Sequence, residues 1–289
     1  QIIDDNAFSY TLIESITIPS NVTRIGKNSF CECKKLQRVD IPMDSNLQII
    51  DDDAFSYTLI ESITIPSNVT RIGKNAFYRC EKLQRVEIPV YSKLQIIDDN
   101  AFSYTLVENI TIPSNVTRIG KNAFYQCEKL QRVEIPVYSK LQIIDDGAFS
   151  KASIEKITIP SHVIQIGKFT FSECINLQLI DFIYDPNHTL QSELKERVFE
   201  KTSIRTITIP SYVTEIGELA FGHCYYLHSI NIPIDSKLQR IKKSAFYKTS
   251  INSIYIPSHL VELEKEWCQN TPMLNKIDIS PYNHFFKIF

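Results

Sequence analysis

The chain repeats itself at an interval of 47 residues, and this repeat limits its possible folds more than any other feature of the sequence. Residues 47–55 recur almost unchanged at 94–102 and at 141–149. A unit this short cannot bury its own apolar face, so copies must stack and cover one another. The repeat therefore predicts an elongated solenoid in which each unit contacts mainly its neighbours.

Each repeat divides into two related halves of nearly equal length, and each half has an apolar anchor followed by alternating apolar and polar residues. This alternation, rich in β-branched residues, predicts a short strand in each half, usually ended by a proline that has no N–H to donate. The step from one anchor to the next is almost constant, and it is longest between Leu177 and Ile204. The anchors are Ile13, Leu36, Ile60, Leu83, Val107, Leu130, Ile154, Leu177, Ile204, Leu227, Ile251 and Leu274.

Strands that recur at such short intervals with an intervening crossover must run parallel. The spacing of Phe124, Cys127 and Leu130 at i, i+3 and i+6 predicts one or two helical turns between strands. We therefore predict an α/β fold, a right-handed solenoid with one parallel β-sheet on the inner face and short helical turns on the outer face. Residues 1–289 are predicted to form a single solenoid of about twelve 23/24-residue units. We call these units rungs and number them in the order of their anchors, so that Ile13 belongs to rung one and Leu177 to rung eight. We expect the solenoid to be a fragment of a longer protein, because the first unit begins in mid-repeat.

A phenylalanine recurs once in nearly every rung, and we predict that these rings stack as a buried spine. The last rung departs from this pattern: Cys268 takes the phenylalanine position and Trp267 lies beside it, so we expect the tryptophan to turn inward. The spine residues are Phe8, Phe30, Phe55, Phe77, Phe102, Phe124, Phe149, Phe171, Phe199, Phe221 and Phe246.

The repeat resembles the BspA-like class of leucine-rich repeats. The motif is most complete in Ile110-Thr-Ile-Pro-Ser-Asn-Val-Thr-Arg-Ile-Gly-Lys-Asn-Ala-Phe-Tyr-Gln-Cys-Glu-Lys-Leu130, and the match covers nearly all of residues 1–280. The resemblance implies a leucine-rich-repeat solenoid, displayed on a cell surface or outside the cell and used in adhesion to host proteins or to other cells. It implies a scaffold without fixed catalytic positions.

The charge of the chain argues against some partners. Its 31 basic and 33 acidic residues give a net charge of −2, which supplies no attraction to nucleic acid or to an anionic membrane. No apolar stretch reaches the roughly 18–20 residues that a membrane-spanning helix needs. We therefore expect neither nucleic-acid binding nor direct insertion into a membrane.

The sequence offers no set of residues with the spacing of a reaction centre. It has no glycine-rich phosphate loop, and its six histidines do not recur with an acid and a nucleophile. The aspartate clusters, such as residues 51–53, recur only on alternate rungs with lysine rungs between them, which makes calcium sites unconvincing. We expect no metal, no cofactor and no catalysis. The repeated cysteines at Cys33, Cys80, Cys127, Cys174 and Cys224 are predicted to be small buried apolar residues.

Polar residues beside the inward-facing strand residues are predicted to point outward. On three alternate rungs they form cation–acid pairs, which we call the charged strip: Arg38 with Asp40, Arg85 with Glu87, and Arg132 with Glu134. One interpretation is a polar recognition surface for a protein partner. The other is a solvated, self-neutralising face, since exposed pairs contribute only about 0–1 kcal/mol.

Tyrosines follow several strands along one edge, namely Tyr91, Tyr138, Tyr184 and Tyr212. Tyrosine and arginine are common anchors of protein interfaces, so Tyr91, Tyr138 and Tyr184 are further candidates for partner binding. They could equally cap the core at a loop.

A second charged column alternates acids and lysines on successive rungs, beginning Asp5, Lys27, Asp52 and Lys74. We expect their attraction to fix the stacking register, because a slip by one half-repeat would bring like charges together.

Asn-x-Thr sequons occur at Asn21, Asn68, Asn109, Asn115 and Asn187. All except Asn109, where a glycan would obstruct a partner on the inner sheet face, are candidate glycan acceptors if the protein passes through a glycosylating secretory route. Three of them are copies of one repeat position, so the motif could also arise from the repeat alone.

The repeat architecture and the resemblance together predict a cell-surface adhesion module that binds a protein, such as an extracellular-matrix or host-cell surface protein. The alternative is an architectural spacer that displays another domain away from the membrane.

Overall fold

A computed structural model describes residues 1–183 and 192–284, in which short strands of two kinds alternate along the chain. Most odd-numbered strands have two residues, and the even-numbered strands have three or four. The odd-numbered strands are β1 (Ile2–Ile3), β3 (Arg24–Ile25), β5 (Ile49–Ile50), β7 (Arg71–Ile72), β9 (Ile96–Ile97), β11 (Arg118–Ile119), β13 (Ile143–Ile144), β15 (Gln165–Ile166), β17 (Ser192–Leu194), β19 (Val213–Ile216), β21 (Arg240–Ile241) and β23 (Glu262–Leu263). The even-numbered strands are β2 (Ser15–Thr17), β4 (Arg38–Asp40), β6 (Ser62–Thr64), β8 (Arg85–Glu87), β10 (Asn109–Thr111), β12 (Arg132–Glu134), β14 (Lys156–Ile159), β16 (Leu179–Phe182), β18 (Thr206–Thr208), β20 (Ser229–Asn231), β22 (Ser253–Ile256) and β24 (Lys276–Ile279).

Odd strands pair only with odd strands, and even strands only with even strands. The odd strands β1 to β15 form one eight-stranded sheet, and β17 to β23 form a four-stranded sheet. The even strands form an eight-stranded sheet from β2 to β16 and two-stranded sheets β18–β20 and β22–β24. Every pairing is parallel, as in Asn109 opposite Arg132 between β10 and β12. We call the surfaces of these two sets the odd-strand face and the even-strand face.

The expectation of one sheet is wrong, because the odd strands form a second parallel set. A typical odd strand has one outward and one inward residue, as in Arg118 and the buried Ile119. Two residues are too few to show the alternation by which a strand is recognised in a sequence.

The expected helical turns are also wrong, and with them the α/β class: the described residues contain no helix, and the outer segments are runs of tight turns. In one segment, Ala101 N donates to Asp98 O within the rung, whereas Asn100 N and Phe102 N donate to Lys121 O and Ala123 O of the next rung at 2.8 Å each. A helix would direct every N–H back along its own segment. Here alternate N–H groups connect neighbouring rungs, so the outer segment helps to hold the stack together.

Two residues in each outer segment have positive φ, which a helix does not allow. Asn100 has φ 55° and Tyr104 has φ 61°. The column containing Asn100 reads Asn6, Asn28, Asp53, Asn75, Asn100, Asn122 and Gly147 over its first seven members. Asparagine, aspartate and glycine tolerate the left-handed region best. This column was the signal in the sequence against helical turns.

The phenylalanine spine is confirmed. All eleven rings stack on their neighbours, with centroids 5.1–5.7 Å apart. Ten are fully buried, and Phe8 is half-buried. Trp267 turns towards the spine as expected and meets Phe246 edge to face at 6.0 Å. The five repeated cysteines lie in the same core, and each of their Sγ atoms donates to a phenylalanine carbonyl of the preceding rung, as Cys80 does to Phe55 at 3.1 Å.

An arginine–aspartate network crosses the odd-strand face. Arg71 contacts Asp51 at 3.2 Å, Asp52 at 2.7 Å and Asp98 at 2.9 Å, and these residues belong to neighbouring rungs. Arg24 and Arg118 bridge aspartates in the same way. Each guanidinium ties together carboxylates from the rungs before and after it, so the network joins the rungs electrostatically.

The lysines of the predicted charged column do not take that role in the first rungs. The backbone N–H of Lys27 donates to Asp5 Oδ1 at 2.9 Å, and that of Lys74 donates to Asp52 Oδ1 at 2.9 Å. The acids are therefore held by backbone donors and by arginines. Further along the column a lysine does take the expected role, because Lys168 Nζ lies 3.0 Å from Glu196 Oε2 of the next rung. The arginines that hold the first acids were missed, because only the fold shows which side chains lie beside them.

This network predicts a loss of stability in acid. Burial opposes ionisation of Asp51, but its hydrogen bonds to Arg24 and the Asp52 backbone outweigh burial and lower its pKa below 3.8. The pKa of Asp98 is lowered in the same way, against burial, by the Asp99 backbone and Arg71. Because the folded pKa lies below the unfolded value, the stabilisation is complete above about pH 4 and is lost as pH falls through the folded values.

We expect the urea midpoint to fall as the pH is lowered below about 4. In the variant Asp51→Asn/Asp98→Asn the urea midpoint should depend less steeply on pH in this acid range. In Asp44→Asn, which changes an exposed aspartate outside the network, the midpoint should fall as steeply as in the wild type. An equal fall of the urea midpoint in the wild type and the double variant would show that these carboxylates do not govern stability in acid.

Candidate functional site

The charged strip lies on the even-strand face, where β4, β8 and β12 place its side chains outward. Arg38 Nε lies 2.9 Å from the Asp40 carboxylate, and Arg132 forms an ion pair with Glu134. Hydroxyls of the intervening rungs reach the acids, as Thr111 Oγ1 donates to Glu134 Oε2 at 3.1 Å. These threonine–acid hydrogen bonds were missed in the sequence, because they join residues that are 23 positions apart.

Arg85 differs from the other two arginines. Over residues 1–183 and 192–284, its guanidinium forms no ion pair and no hydrogen bond. Its neighbour Glu87 instead accepts a hydrogen bond of 3.5 Å from Thr64. Arg85 therefore presents an uncompensated positive charge in the middle of the strip.

The outward side chains of the even-strand face line a series of connected grooves. One groove of about 350 Å³ runs from Thr17 to Thr64, and the next, of about 650 Å³, runs from Thr64 to Glu134. A third, of about 560 Å³, shares Arg132 and Glu134 with the second and continues to Asp181. Adjacent grooves share lining residues, so they form one continuous surface, which we call the trough.

The trough continues past rung eight. Its last groove, of about 650 Å³, shares Leu179 and Asp181 with the third and ends at Asp235. An elongated surface of this kind can accept a long segment or a second protein surface.

Two of the predicted tyrosines form a pair beside the trough. The rings of Tyr91 and Tyr138 are nearly parallel with centroids 6.2 Å apart, and their hydroxyls lie 3.1 Å apart. They remain 77% and 56% exposed, and Tyr138 also lines the third groove. Tyr212, by contrast, is buried, and Tyr184 lies outside the described residues.

The sequons differ in their exposure. Asn21 is exposed, whereas Asn68 and Asn115 are half-buried. The Asn68 side-chain amide donates to Ser45 O at 2.9 Å and that of Asn115 to Ser92 O at 2.8 Å, so both nitrogens already join neighbouring rungs. Asn187 lies outside the described residues. Glycosylation stays a prediction, and the geometry favours Asn21 over the two half-buried positions.

The described residues hold no group of three or more histidine, cysteine, aspartate or glutamate side chains placed to bind a metal ion. His223 Nδ1 lies 2.9 Å from the Tyr225 hydroxyl, but the neighbouring Cys224 is buried in the core, where burial raises its thiol pKa to about 11. In residues 1–183 and 192–284, no helix has the length and apolarity to cross a bilayer.

Sequence comparison finds one family match. The family described as "BspA type Leucine rich repeat region (6 copies)" matches residues 1–131, 95–227 and 191–287, which together cover almost the whole chain. No curated protein matches the chain.

Several solved structures share the fold. The pneumococcal vaccine antigen PcpA has a TM-score of 0.54 and 22% identity, over 93% of this chain and 72% of that one. A leucine-rich repeat protein from Bacteroides ovatus has a TM-score of 0.54 and 25% identity, over 96% of this chain and 87% of that one. A leucine-rich repeat protein from Eubacterium ventriosum has a TM-score of 0.57 and 19% identity, over 95% of this chain and 86% of that one. These likenesses indicate a common repeat architecture.

Proposed function

We propose, from the premise that this chain belongs to the BspA-type leucine-rich-repeat family, that it is a non-catalytic adhesion module that binds a protein on its even-strand face. The observation that carries the proposal is the continuous trough, whose adjoining grooves share Thr64, Arg132 and Leu179 among other residues. A standard protein interface buries roughly 800 Å² on each partner, which an extended surface can supply and a single small pocket cannot.

The chemistry of the trough suits a protein partner. The unpaired Arg85 and the exposed pair Tyr91 and Tyr138 are residue types that dominate binding energy in protein interfaces. The partner that we propose is an extracellular-matrix or host-cell surface protein, as the resemblance of the repeat to the BspA-like class implies. We accordingly propose a location on the cell surface or outside the cell.

The rival proposal is an architectural spacer that displays another domain. It is supported by the charge pairs within single rungs, such as Arg38 with Asp40, because a face that neutralises itself has little to offer a partner.

A fourfold variant separates the two proposals. Replacing Arg85, Arg132, Tyr91 and Tyr138 with alanine should weaken binding to an immobilised matrix protein at least about 100-fold, since two or more interface anchors are lost at about 2 kcal/mol each. The fold should survive, because these side chains are outside the core. Surface plasmon resonance measures the affinity, and circular dichroism verifies the fold.

The matched control removes two exposed cations and two exposed tyrosines elsewhere: Lys82, Lys129, Tyr226 and Tyr282. It should bind as wild type does. Undiminished binding by the folded trough variant would remove this face as the binding surface.

A further inference from the structure

Rung eight breaks the pattern of the even-strand face. In rungs two, four and six, an arginine precedes the outward acid by two residues, as Arg132 precedes Glu134. In rung eight, Leu179 occupies the arginine position and Asp181 the acid position. Leu179 is 42% exposed, and it is the one apolar residue in a column of outward positions that is otherwise polar from Ser15 to Lys276.

The substitution leaves Asp181 without the cation that its counterparts have. In the described part of the chain, Asp181 forms neither an ion pair nor a side-chain hydrogen bond, and the same is true of Asp235 two rungs further on. Lys156 of the neighbouring strand β14 lies opposite Leu179, but among the described residues it forms no ion pair with Asp181. Two exposed carboxylates on this part of the face therefore have no ion-pair partner in the described part of the chain.

These carboxylates lie along the last groove of the trough. The groove holds about 650 Å³ and lies where the eight-stranded even sheet ends at β16 and the sheet β18–β20 begins. Leu179, Phe182 and Ile183 line it on the β16 side, and Pro233 adds to its apolar lining. Hydroxyl and amide groups of Thr206, Thr208 and Asn231 also line it, and they can hydrogen-bond to an occupant.

We propose that this groove anchors an extended segment of the protein partner in which an apolar side chain is adjacent to a lysine or arginine. An apolar side chain of the partner that packs against the apolar lining removes both surfaces from water, which favours binding. The unpaired Asp181 and Asp235 attract a cation beside it and repel an acidic segment. The groove opens through Leu179 and Asp181 into the rest of the trough, which suits an extended chain better than a small molecule.

This inference rests on the proposed function, because it assigns the partner's chemistry at one part of the same face. The probe is a phage-displayed library of random nonapeptides selected on the whole folded protein. We expect enrichment of sequences with an apolar residue next to lysine or arginine. A synthetic peptide of the enriched sequence should then show measurable binding in fluorescence polarisation, and its affinity should fall at higher salt.

Three variants locate the peptide. Leu179→Arg restores the arginine of the other rungs, fills the apolar position and neutralises Asp181, so it should abolish binding. Asp181→Asn/Asp235→Asn should weaken it about tenfold or more by removing the attraction for the cation. The control Asp278→Asn changes an acid that is paired with Lys276 at 2.7 Å outside the groove, and it should leave peptide binding unchanged.

The outcomes distinguish this inference from the proposed function. Failure to enrich any peptide, enrichment of acidic or purely apolar peptides, or equal binding by Leu179→Arg would overturn the groove assignment. The fourfold trough variant should still bind the peptide, since its substitutions lie outside this groove. If the peptide binds the groove but no matrix or cell-surface protein binds the chain, the adhesion proposal fails while the groove assignment stands.

Discussion

The variant Phe124→Ala should lose about 3–5 kcal/mol of unfolding free energy, the range for removing a fully buried phenylalanine. Phe124 is entirely buried and stacks on Phe102 and Phe149 at 5.3 Å on either side. Its removal leaves a cavity between two rings that are fixed by their own rungs, so the surroundings can relax only in part. Urea denaturation followed by circular dichroism measures the change.

The matched control is Phe8→Ala at the first position of the spine. Phe8 is half-buried and stacks in the spine on Phe30 alone, so its removal should cost clearly less. A loss below about 1 kcal/mol for Phe124→Ala would mean that the spine does not stabilise the stack as described.

The second large effect is expected from adding one methyl group at Gly120. A Cβ at this position would lie 2.6 Å from the backbone carbon of Asp98 and 2.6 Å from the backbone nitrogen of Asp99 in the neighbouring rung. Backbone atoms cannot rotate away, so the two rungs would have to separate. Overpacking of this kind costs about 3 kcal/mol at the upper end of its range, and restriction of the unfolded chain by alanine returns up to about 1 kcal/mol.

We therefore expect Gly120→Ala to destabilise the protein by about 2 kcal/mol in the same urea assay. Gly222→Ala is the control, because its added Cβ would meet chiefly the Leu219 side chain of its own rung, whose end can move. A Gly120→Ala protein as stable as Gly222→Ala would contradict the close approach of adjacent rungs. The same approach occurs at Gly73 and Gly167, which explains why the repeat carries glycine at this position.

The core of this protein could be predicted from the sequence because its residues recur in register. Phe124 and Cys127 were assigned to the interior from their repetition, and both are fully buried. The short, nearly constant step between anchors also predicts parallel pairing, and the pairing of Asn109 with Arg132 is an example. These inferences need only the period and the residue type.

The outer segments could not be predicted by the same reasoning. The spacing of Phe124, Cys127 and Leu130 fits one face of a helix, but it fits consecutive turns equally well. What decides between them is the left-handed backbone at Asn122 and Gln126, which sends alternate N–H groups to the next rung. The asparagine, aspartate and glycine column indicated this, but only when compared across many rungs.

For the candidate site, the sequence predicted which types of residue face outward, but it did not predict most of the contacts between them. The pairing of Arg38 with Asp40 follows from their i, i+2 spacing on one strand. The unpaired state of Arg85 and the contact of Tyr91 with Tyr138 do not follow, because they depend on distances between rungs. The odd-strand network was missed for the same reason: Arg71 meets acids that are distant in the sequence and belong to the rungs on either side of it.

The central claim is that the even-strand face binds a protein, and a binding screen of the folded chain tests it most directly. The chain is applied to immobilised extracellular-matrix proteins and to host-cell surfaces at about 0.15 M and about 0.5 M salt, because screening at the higher concentration weakens exposed charge contacts. We predict saturable binding to at least one protein surface, weaker at the higher salt and lost in the fourfold trough variant. The absence of saturable binding to every surface would contradict the claim and favour the spacer.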